Sequence, residues 1–234
     1  MSEHSYMGQE LELFREAGNW KRYWTGQIAS FLTGHVLEVG AGLGANMPYL
    51  VRYEEQFQSL TMLEPDPVLA DLAAQTFYQP TVPVRAICGD VNCLPEGATY
   101  DTLLYIDVLE HIADDGHEVK RALSLLRPGG CLIILVPAFP FLYSPFDKSI
   151  GHFRRYTKAS LNRLIPSTIN NVALRYLDSM GFLASLSNRI FLKQEIPTSA
   201  QVAFWDRRLV PLSRFTDKAF GSVFGKSLLG VWKK

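Results

Sequence analysis

The sequence predicts an α/β protein built on a doubly wound, mostly parallel sheet, and three observations support this fold class. Apolar runs that suit buried strands alternate with segments of helical character from residue 35 onward. The first run passes directly into a glycine-rich turn at residues 40–44. Acidic residues close several of the later runs, and open parallel sheets bind ligands beyond the carboxyl ends of their strands.

The first predicted strand, residues 35–39, carries Glu38 two residues before the first of three glycines. Glycines let the turn pass close to a ligand before a helix predicted over residues 44–53. A dinucleotide loop usually has GxGxxG spacing and an apolar residue in place of Glu38. A carboxylate there repels a pyrophosphate but suits a cofactor with a cationic amino-acid end, such as S-adenosylmethionine (SAM). The three glycines are Gly40, Gly42 and Gly44.

The next two strands also lead into acids. A strand within residues 60–67 ends at Glu64, where a carboxylate could accept hydrogen bonds from ribose hydroxyls. A third strand, residues 82–88, leads to Asp90, which could hold an adenine amine. We therefore expect these carboxylates at the same edge of the sheet.

The fourth strand, residues 100–107, finishes with Asp107. Residues 125–130, LLRPGG, are predicted to break the chain before a fifth strand at residues 131–136. Helices are expected between the strands, over residues 67–78 and 114–126, and before the first strand, over residues 8–32.

After the fifth strand the pattern changes. Residues 136–156 are rich in proline and aromatic residues, which predicts an irregular loop at the ligand edge. A helix over residues 157–165 follows, and then a sixth strand at residues 172–178. The last strand is predicted at residues 227–233.

These motifs resemble the class I SAM-dependent methyltransferases, in particular the bacterial type 11 and type 12 group. EVGAGLG resembles the first motif of the family, LEPDP its ribose-binding acid, GDVNCLP its adenine-side loop and DVLEHIADD its fourth motif. The resemblance covers most of the chain. It implies a Rossmann-like methyltransferase fold of seven strands with an antiparallel last strand and a helical insert between the sixth and seventh strands.

The length of 234 residues predicts a single domain of residues 1–234. Within it we expect an N-terminal helical cover (1–34), a cofactor-binding core (35–180), a helical insert that acts as an acceptor lid (181–224) and the last strand (225–234). A packed cap that only completes the core is the alternative for the insert. The residues implied to bind SAM are Glu38, Gly40, Gly42, Gly44, Asn46, Glu64, Pro65, Asp90, Val91 and Asp107.

Residues that could act on the methyl acceptor lie after the fourth and fifth strands. His111 and His152 are the candidate catalytic bases, because a neutral imidazole takes a proton near physiological pH. Arg154, Arg155 and Tyr156 are the candidate acceptor-binding residues, since a guanidinium suits an anionic group.

A divalent metal is an alternative use of the fourth motif. Asp107, Glu110 and His111 follow one another at helical spacing, so they would share one face of a helical turn. Ubiquinone-pathway O-methyltransferases have a similar cluster associated with a divalent cation. We expect a hydrogen-bonded cluster without metal here, and His111 on the acceptor side.

Composition limits the partners. Lys plus Arg equals Asp plus Glu at 23 each, so no global field attracts nucleic acid or an anionic membrane, and we expect no nucleic-acid partner. The three cysteines lack metal-ligand spacing, the N-terminus lacks a secretory pattern, and the apolar runs are shorter than the ~20 residues that span a bilayer. These features predict a cytoplasmic, soluble protein, for which peripheral membrane contact stays open.

The functional hypothesis is O-methylation, with SAM as cofactor, of a small or lipid-linked and possibly anionic acceptor, such as a glycan, phosphonate or carboxylate. N-methylation is the nearest alternative. Two alternatives from other classes are a nicotinamide-dependent oxidoreductase and a non-catalytic SAM-binding module. The last would be favoured if the insert filled the space over Asp107. The residues carry no information on oligomeric state.

Overall fold

A computed structural model describes residues 11–75, 80–95, 97–189 and 196–234. Within these ranges the strands alternate with helices up to β5, as the sequence predicts, except between β3 and β4, where the described residues form no helix. The strands are β1 (Gly34–Val39), β2 (Phe57–Glu64), β3 (Val84–Cys88), β4 (Tyr100–Ile106), β5 (Leu126–Pro137), β6 (Asn170–Leu177) and β7 (Ser227–Lys233). The helices are α1 (Gly18–Ile28), α2 (Met47–Leu50), α3 (Pro67–Ala74), α4 (Asp115–Leu125), α5 (Pro145–Ser149), α6 (Lys158–Arg163), α7 (Ser179–Ser187), α8 (Ser199–Phe204) and α9 (Val210–Ala219).

The strands form one sheet in the order β3-β2-β1-β4-β5-β7-β6. The neighbouring pairs from β3 to β5 are parallel, whereas β7 runs antiparallel to both β5 and β6. The order reverses at β1, which is the switch point where doubly wound sheets bind ligands. The predicted seven-stranded, mostly parallel sheet with an antiparallel last strand is confirmed.

Side chains of the central strands are buried on both faces of the sheet. Leu104 and its β5 partner Ile133 belong to one apolar core, while Leu103 and its partner Leu132 belong to the other. Strands that are covered on both faces consist of continuous runs of apolar residues. Such runs in the sequence predicted the positions of the central strands. The helices that cover the faces leave the carboxyl ends of the strands accessible.

Several element boundaries differ from the predictions. Leu126 already pairs with β4, and a register shift accommodates the residues up to Cys131. The predicted break at 125–130 is therefore wrong: the turn residues form an irregularity within β5, where Gly129 has φ +82°. The helix predicted over 44–53 is only the single turn α2, followed by a 3-10 segment, Val51–Gln56.

Three further predictions are partly met. The N-terminal cover is helical at residues 11–15 and again in α1, while its predicted start at residue 8 lies outside the described residues. α3 ends at Ala74, and the predicted end of that helix near residue 78 also lies outside them. The loop predicted over 136–156 contains α5, whose N-terminus is capped by Ser144 and Asp147.

The insert is attached to the rest of the protein by two buried acids. Asp206 accepts hydrogen bonds from the backbone of Asn19 and Trp20, at 3.2 and 2.8 Å. Asp217 accepts one from the Tyr23 hydroxyl at 2.8 Å. Both contacts fix the insert against α1. Within the described part of the chain, no helix combines the length and apolar character needed to cross a bilayer.

Candidate active site

A cavity of about 980 Å³ lies beyond the carboxyl ends of the parallel strands. Its lining includes Gly40 after β1, Asp107 after β4 and Pro137 at the end of β5. Trp205 and other residues of the insert form the opposite wall. The described residues of the insert line the space over Asp107 without filling it, so among them the arrangement expected of a non-catalytic module is not observed.

The glycine turn has the conformation that the sequence predicts. Gly40, Gly42 and Gly44 have φ values of +70°, +55° and +70°, which side chains rarely adopt. A Cβ atom on Gly40 would also lie 2.5 Å from a methyl carbon of Val108. The absence of side chains therefore keeps this wall of the cavity open.

Glu38 has a buried carboxylate oxygen that is suited to a cationic ligand. Its side chain is buried, and Oε1 accepts a hydrogen bond from Nδ2 of Asn46 at 2.9 Å. Oε2 is also buried and has no hydrogen-bond partner in the described part of the chain. Burial raises the pKa of Glu38 to about 7. The ammonium of the methionine end of SAM would satisfy this oxygen, so the residues fit that cofactor.

The residues predicted for the ribose and adenine lie at the edge of the sheet, outside the lining of the cavity. Glu64 accepts hydrogen bonds from the backbone of Gly42 and Asp66, at 2.8 and 3.1 Å. Burial raises the pKa of this carboxyl. Pro65 and Asp90 are exposed at neighbouring positions, and Val91 is buried below them. These contacts fix the Glu64 carboxylate against the glycine turn.

Asp107 forms part of the cavity floor. It has φ +54°, and its backbone N–H donates to the carbonyl of Leu135 at 2.8 Å. Although its side chain is accessible from the cavity, the surrounding protein desolvates it and raises its pKa to about 6. Electrostatic interaction with His152 and Lys226 opposes that rise. Because the φ angle of Asp107 is positive, its side chain leaves the backbone in a different direction from that of a regular strand residue.

The loop before α6 forms a charged network around Asp147. This buried carboxylate accepts hydrogen bonds from Nδ1 of His152 at 2.8 Å and from Arg155 at 2.8 and 3.0 Å. Burial alone would raise the pKa of Asp147, but the bonds from His152 and Arg155 outweigh it and hold the pKa well below its usual range. His152 and Arg155 both line the cavity.

His111 lines the cavity beside His152. The two rings meet edge to face, with 4.5 Å between their centroids. Burial, with a further contribution from His152, lowers the pKa of His111 to about 4. His111 is therefore neutral at physiological pH, and the structure brings both predicted catalytic candidates together.

The other two predicted acceptor-binding residues lie elsewhere. Arg154 forms an ion pair with Asp115 and donates to the carbonyl of Ala113 at 2.7 Å. The Tyr156 hydroxyl is buried and donates to Asp115 at 2.9 Å. Neither residue lines the cavity, so of the three predicted residues only Arg155 borders it.

One group of side chains in the described ranges has the composition of a metal site. Ligand atoms of Glu110, His111 and His152 lie within 4.8 Å of one another. This cluster differs from the one considered in the sequence, because His152 takes the place of Asp107. A carboxylate with two imidazoles is a donor set that divalent cations accept. A cluster without metal stays our prediction.

The sequence did not point to two lysines that line the cavity. Lys21 donates to the backbone carbonyls of Phe14 and Arg15 at 2.7 and 3.1 Å, and burial lowers its pKa to about 8. Lys226 Nζ lies 4.6 Å from the centroid of a Trp205 ring. An antiparallel last strand starts at the ligand edge, and Lys226 directly precedes this strand. The predicted direction of the strand could therefore have indicated Lys226 as a site residue.

Comparison with known proteins identifies the family. A family model described as a methyltransferase domain matches residues 14–168, about two thirds of the chain. The chain belongs to this methyltransferase family. It is a class I SAM-dependent methyltransferase, as the motifs indicated, and S-adenosylmethionine is its cofactor.

A curated relative of this methyltransferase is a ubiquinone biosynthesis O-methyltransferase from Coxiella burnetii (strain Dugway 5J108-111). The two are 29% identical over 99 residues, which cover 42% of this chain and 41% of that protein. The chain thus matches less than half the length of this relative.

Two solved structures show the same fold. The N-methyltransferase NodS from Bradyrhizobium japonicum WM9, in complex with S-adenosyl-L-homocysteine, superimposes with a TM-score of 0.57 at 14% identity, over 98% of both chains. The plantazolicin methyltransferase BpumL, in complex with SAH, has a TM-score of 0.55 at 13% identity, over 98% of this chain and 87% of that one. At such identities the likeness concerns the fold alone.

Proposed function

We propose that this methyltransferase transfers the methyl group of SAM to a hydroxyl oxygen of an anionic, lipid-linked acceptor. The pair formed by Asp147 and His152 carries the proposal. Because a carboxylate only accepts hydrogen bonds, Nδ1 of His152 bears a proton, and Nε2, which lies 3.8 Å from Oε1 of Glu110, is the nitrogen that would accept one from the substrate. A hydroxyl gains most from such a base, since it must lose its proton.

The two histidines have different roles in this proposal. His152 is the base, because Asp147 fixes its tautomer and stabilises the imidazolium that forms when Nε2 takes a proton. His111, with a pKa lowered by burial to about 4, is a weak base and supports the His152 ring by edge-to-face packing. SAM supplies an activated methyl group, so the chain mainly positions the acceptor and excludes water.

The charge of the acceptor is inferred from Lys226. Its ammonium lies over the Trp205 ring and lines the cavity. The carboxylates of Asp178, Asp107 and Asp147 act on it electrostatically, but within the described ranges none forms a hydrogen bond with its ammonium. Arg155, by contrast, is occupied by Asp147. A half-buried cation that no carboxylate contacts directly favours an acceptor that brings its own negative charge.

Oxygen as the methylated atom is also supported by the name of the Coxiella burnetii relative, an O-methyltransferase of ubiquinone biosynthesis. A lipid tail is supported by the apolar insert residues on the cavity wall, among them Phe204, Trp205 and Leu209. N-methylation remains the second candidate, because NodS, which shares the fold, is an N-methyltransferase.

The test compares acceptors that differ only in charge or tail. The purified protein would be given SAM with a labelled methyl group and either 3,4-dihydroxybenzoate or the uncharged 3,4-dihydroxybenzyl alcohol, each with and without a ring-attached alkyl chain. We expect O-methylation of the charged, alkylated phenol at the lowest KM. Equal use of the uncharged phenol would contradict the anionic assignment. Transfer only to a matched aniline would favour N-methylation.

Variants separate binding from proton transfer. Lys226→Met should raise KM about tenfold or more with little change in kcat, since it removes one charge-assisted contact. His152→Asn should lower kcat about a hundredfold or more and leave KM almost unchanged. Lys148→Met is the matched control, because Lys148 is exposed and lies outside the cavity lining. Calorimetric titration of Glu64→Ala with SAM tests the predicted ribose contact separately.

A further inference from the structure

The insert presents a surface whose composition is unlike the rest of the exterior. Among the described residues, twelve large apolar side chains are exposed, and seven of them lie within residues 183–223. Phe215, at 72% exposure, and Phe204, at 58%, are the most exposed large apolar side chains on the helical stretch formed by residues 199–219. Apolar exposure concentrated in one segment marks an interaction surface.

The helical stretch of residues 199–219 is amphipathic in an unusual way. Its inward stripe recurs at every third or fourth position and consists of Val202, Asp206, Val210, Ser213 and Asp217, all buried. The opposite side, here called the outer face, consists of Phe204, Arg207, Arg208, Leu212, Arg214, Phe215 and Lys218. Apolar and cationic side chains thus share the exposed side, while acids lie inside.

The charges on this stretch are segregated by sign. Its only acids are Asp206 and Asp217, and both turn inward to accept hydrogen bonds, from Trp20 and from Tyr23. The four basic residues of the stretch are all exposed. The outer face therefore carries about four positive charges although the whole chain has a formal net charge of zero. The outer face is cationic because of where the charged residues of the stretch lie, and not because the chain has an excess of basic residues.

We infer that the outer face docks onto an anionic phospholipid membrane. Interfacial helices combine aromatic and aliphatic side chains, which enter the headgroup region, with Lys and Arg, which attract anionic lipids. At about 30 Å, the stretch is long enough to lie along a bilayer surface. A folded protein partner would need paired acids for the same cations, whereas an anionic bilayer supplies a continuous negative surface.

The docking surface adjoins the cavity. Phe204 belongs to the outer face and also lines the cavity, and Trp205 and Leu209 of the same stretch line it from the inner side. One layer of helix thus separates the membrane surface from the acceptor site. A membrane-bound protein would hold the cavity mouth at the headgroup level. The docking itself does not depend on which acceptor is methylated.

The test is co-sedimentation of the full chain with vesicles of phosphatidylcholine alone or phosphatidylcholine mixed with phosphatidylglycerol. We expect binding only to the anionic vesicles, weakened by salt. The double variant Arg207→Gln and Arg208→Gln should weaken binding about 25-fold, at about fivefold for each cation. Phe215→Ser should weaken it about tenfold.

Val68→Ser and Lys120→Gln are the matched controls, because both residues are exposed on other helices, α3 and α4. They should bind the vesicles like the native protein. Equal binding to both vesicle types, no binding to either, or equal loss in the controls would overturn the inference. Self-association that Phe215→Ser abolishes, without vesicle binding, would assign the outer face to a second copy of the chain. Melting curves confirm that each variant folds.

Discussion

Binding of SAM should depend on pH through Glu38. Its unpaired Oε2 is placed to accept from the cofactor ammonium only when the carboxyl is ionised. Burial raises the pKa of Glu38 to about 7 in the unliganded protein, so the carboxyl is largely protonated at lower pH. Because the ligand favours the ionised form, affinity should be highest above this pKa and fall as the pH drops through it.

The size of the effect follows from the ionised fraction. With a pKa of about 7, that fraction is about one tenth at about pH 6 and about three quarters at about pH 7.5. The dissociation constant should therefore rise about eightfold between these pH values, or about 1.2 kcal/mol. This window also keeps Lys21 mostly charged, because its pKa is lowered by burial only to about 8.

Isothermal calorimetry in two buffers of different ionisation enthalpy measures both affinity and the protons released. We expect release of most of one proton near pH 6 and little near pH 8, since binding forces Glu38 to ionise. The isosteric Glu38→Gln variant should bind more weakly at high pH, without the eightfold dependence. Asp107, whose pKa burial raises to about 6, adds at most about a twofold change, which Asp107→Asn removes.

The reasoning fails if the affinity of the native protein is constant across this window. It also fails if Glu38→Gln shows the same pH dependence as the native protein, because the titrating group would then lie elsewhere. A dependence that Asp107→Asn removes completely would assign the proton to the cavity floor.

Two further predictions concern stability. Gly40→Ala should lower the free energy of unfolding by about 2 kcal/mol, since it combines a left-handed backbone with a clash against Val108, whereas Gly42→Ala meets no atom closer than 3.4 Å and should cost less. Thermal melts of the two variants would show this difference, and equal melting temperatures would contradict it. Asp147→Asn should destabilise the protein by about 3 kcal/mol in urea unfolding, because it leaves the buried Arg155 guanidinium without its anion. An unchanged midpoint would mean that solvent already compensates this cation.

The residues predicted to bind the cofactor could be placed on the fold from the sequence because their signals are local. Glu38 and the glycine turn lie within a few residues of one another, and Glu64 follows at the end of the next strand. Each of these positions is fixed by a strand end, which a run of apolar residues reveals. The sheet itself was predictable for the same reason.

The acceptor half was harder to predict because contacts distant in the chain decide it. Arg154 and Arg155 are adjacent, and only the position of Asp147 determines that Arg155 turns toward the cavity. Lys226 is isolated in the sequence, and its importance depends on the packing of Trp205 across the cavity. Asp115 binds Arg154 and Tyr156 outside the cavity. No pattern in the sequence indicated Asp115 as their partner.

Because β7 runs in the reverse direction, two different parts of the chain contribute residues to the site. Parallel strands deliver their last residues to the ligand edge, so Glu38, Glu64 and Asp107 all come from the first half of the chain. An antiparallel strand begins at the ligand edge, so the residue that lies there is the one before the strand, which for β7 is Lys226. Under the proposed function, cofactor recognition and the contact of Lys226 with the acceptor therefore belong to separate segments. We expect that exchange of the later segment changes the acceptor while the earlier segment continues to bind SAM.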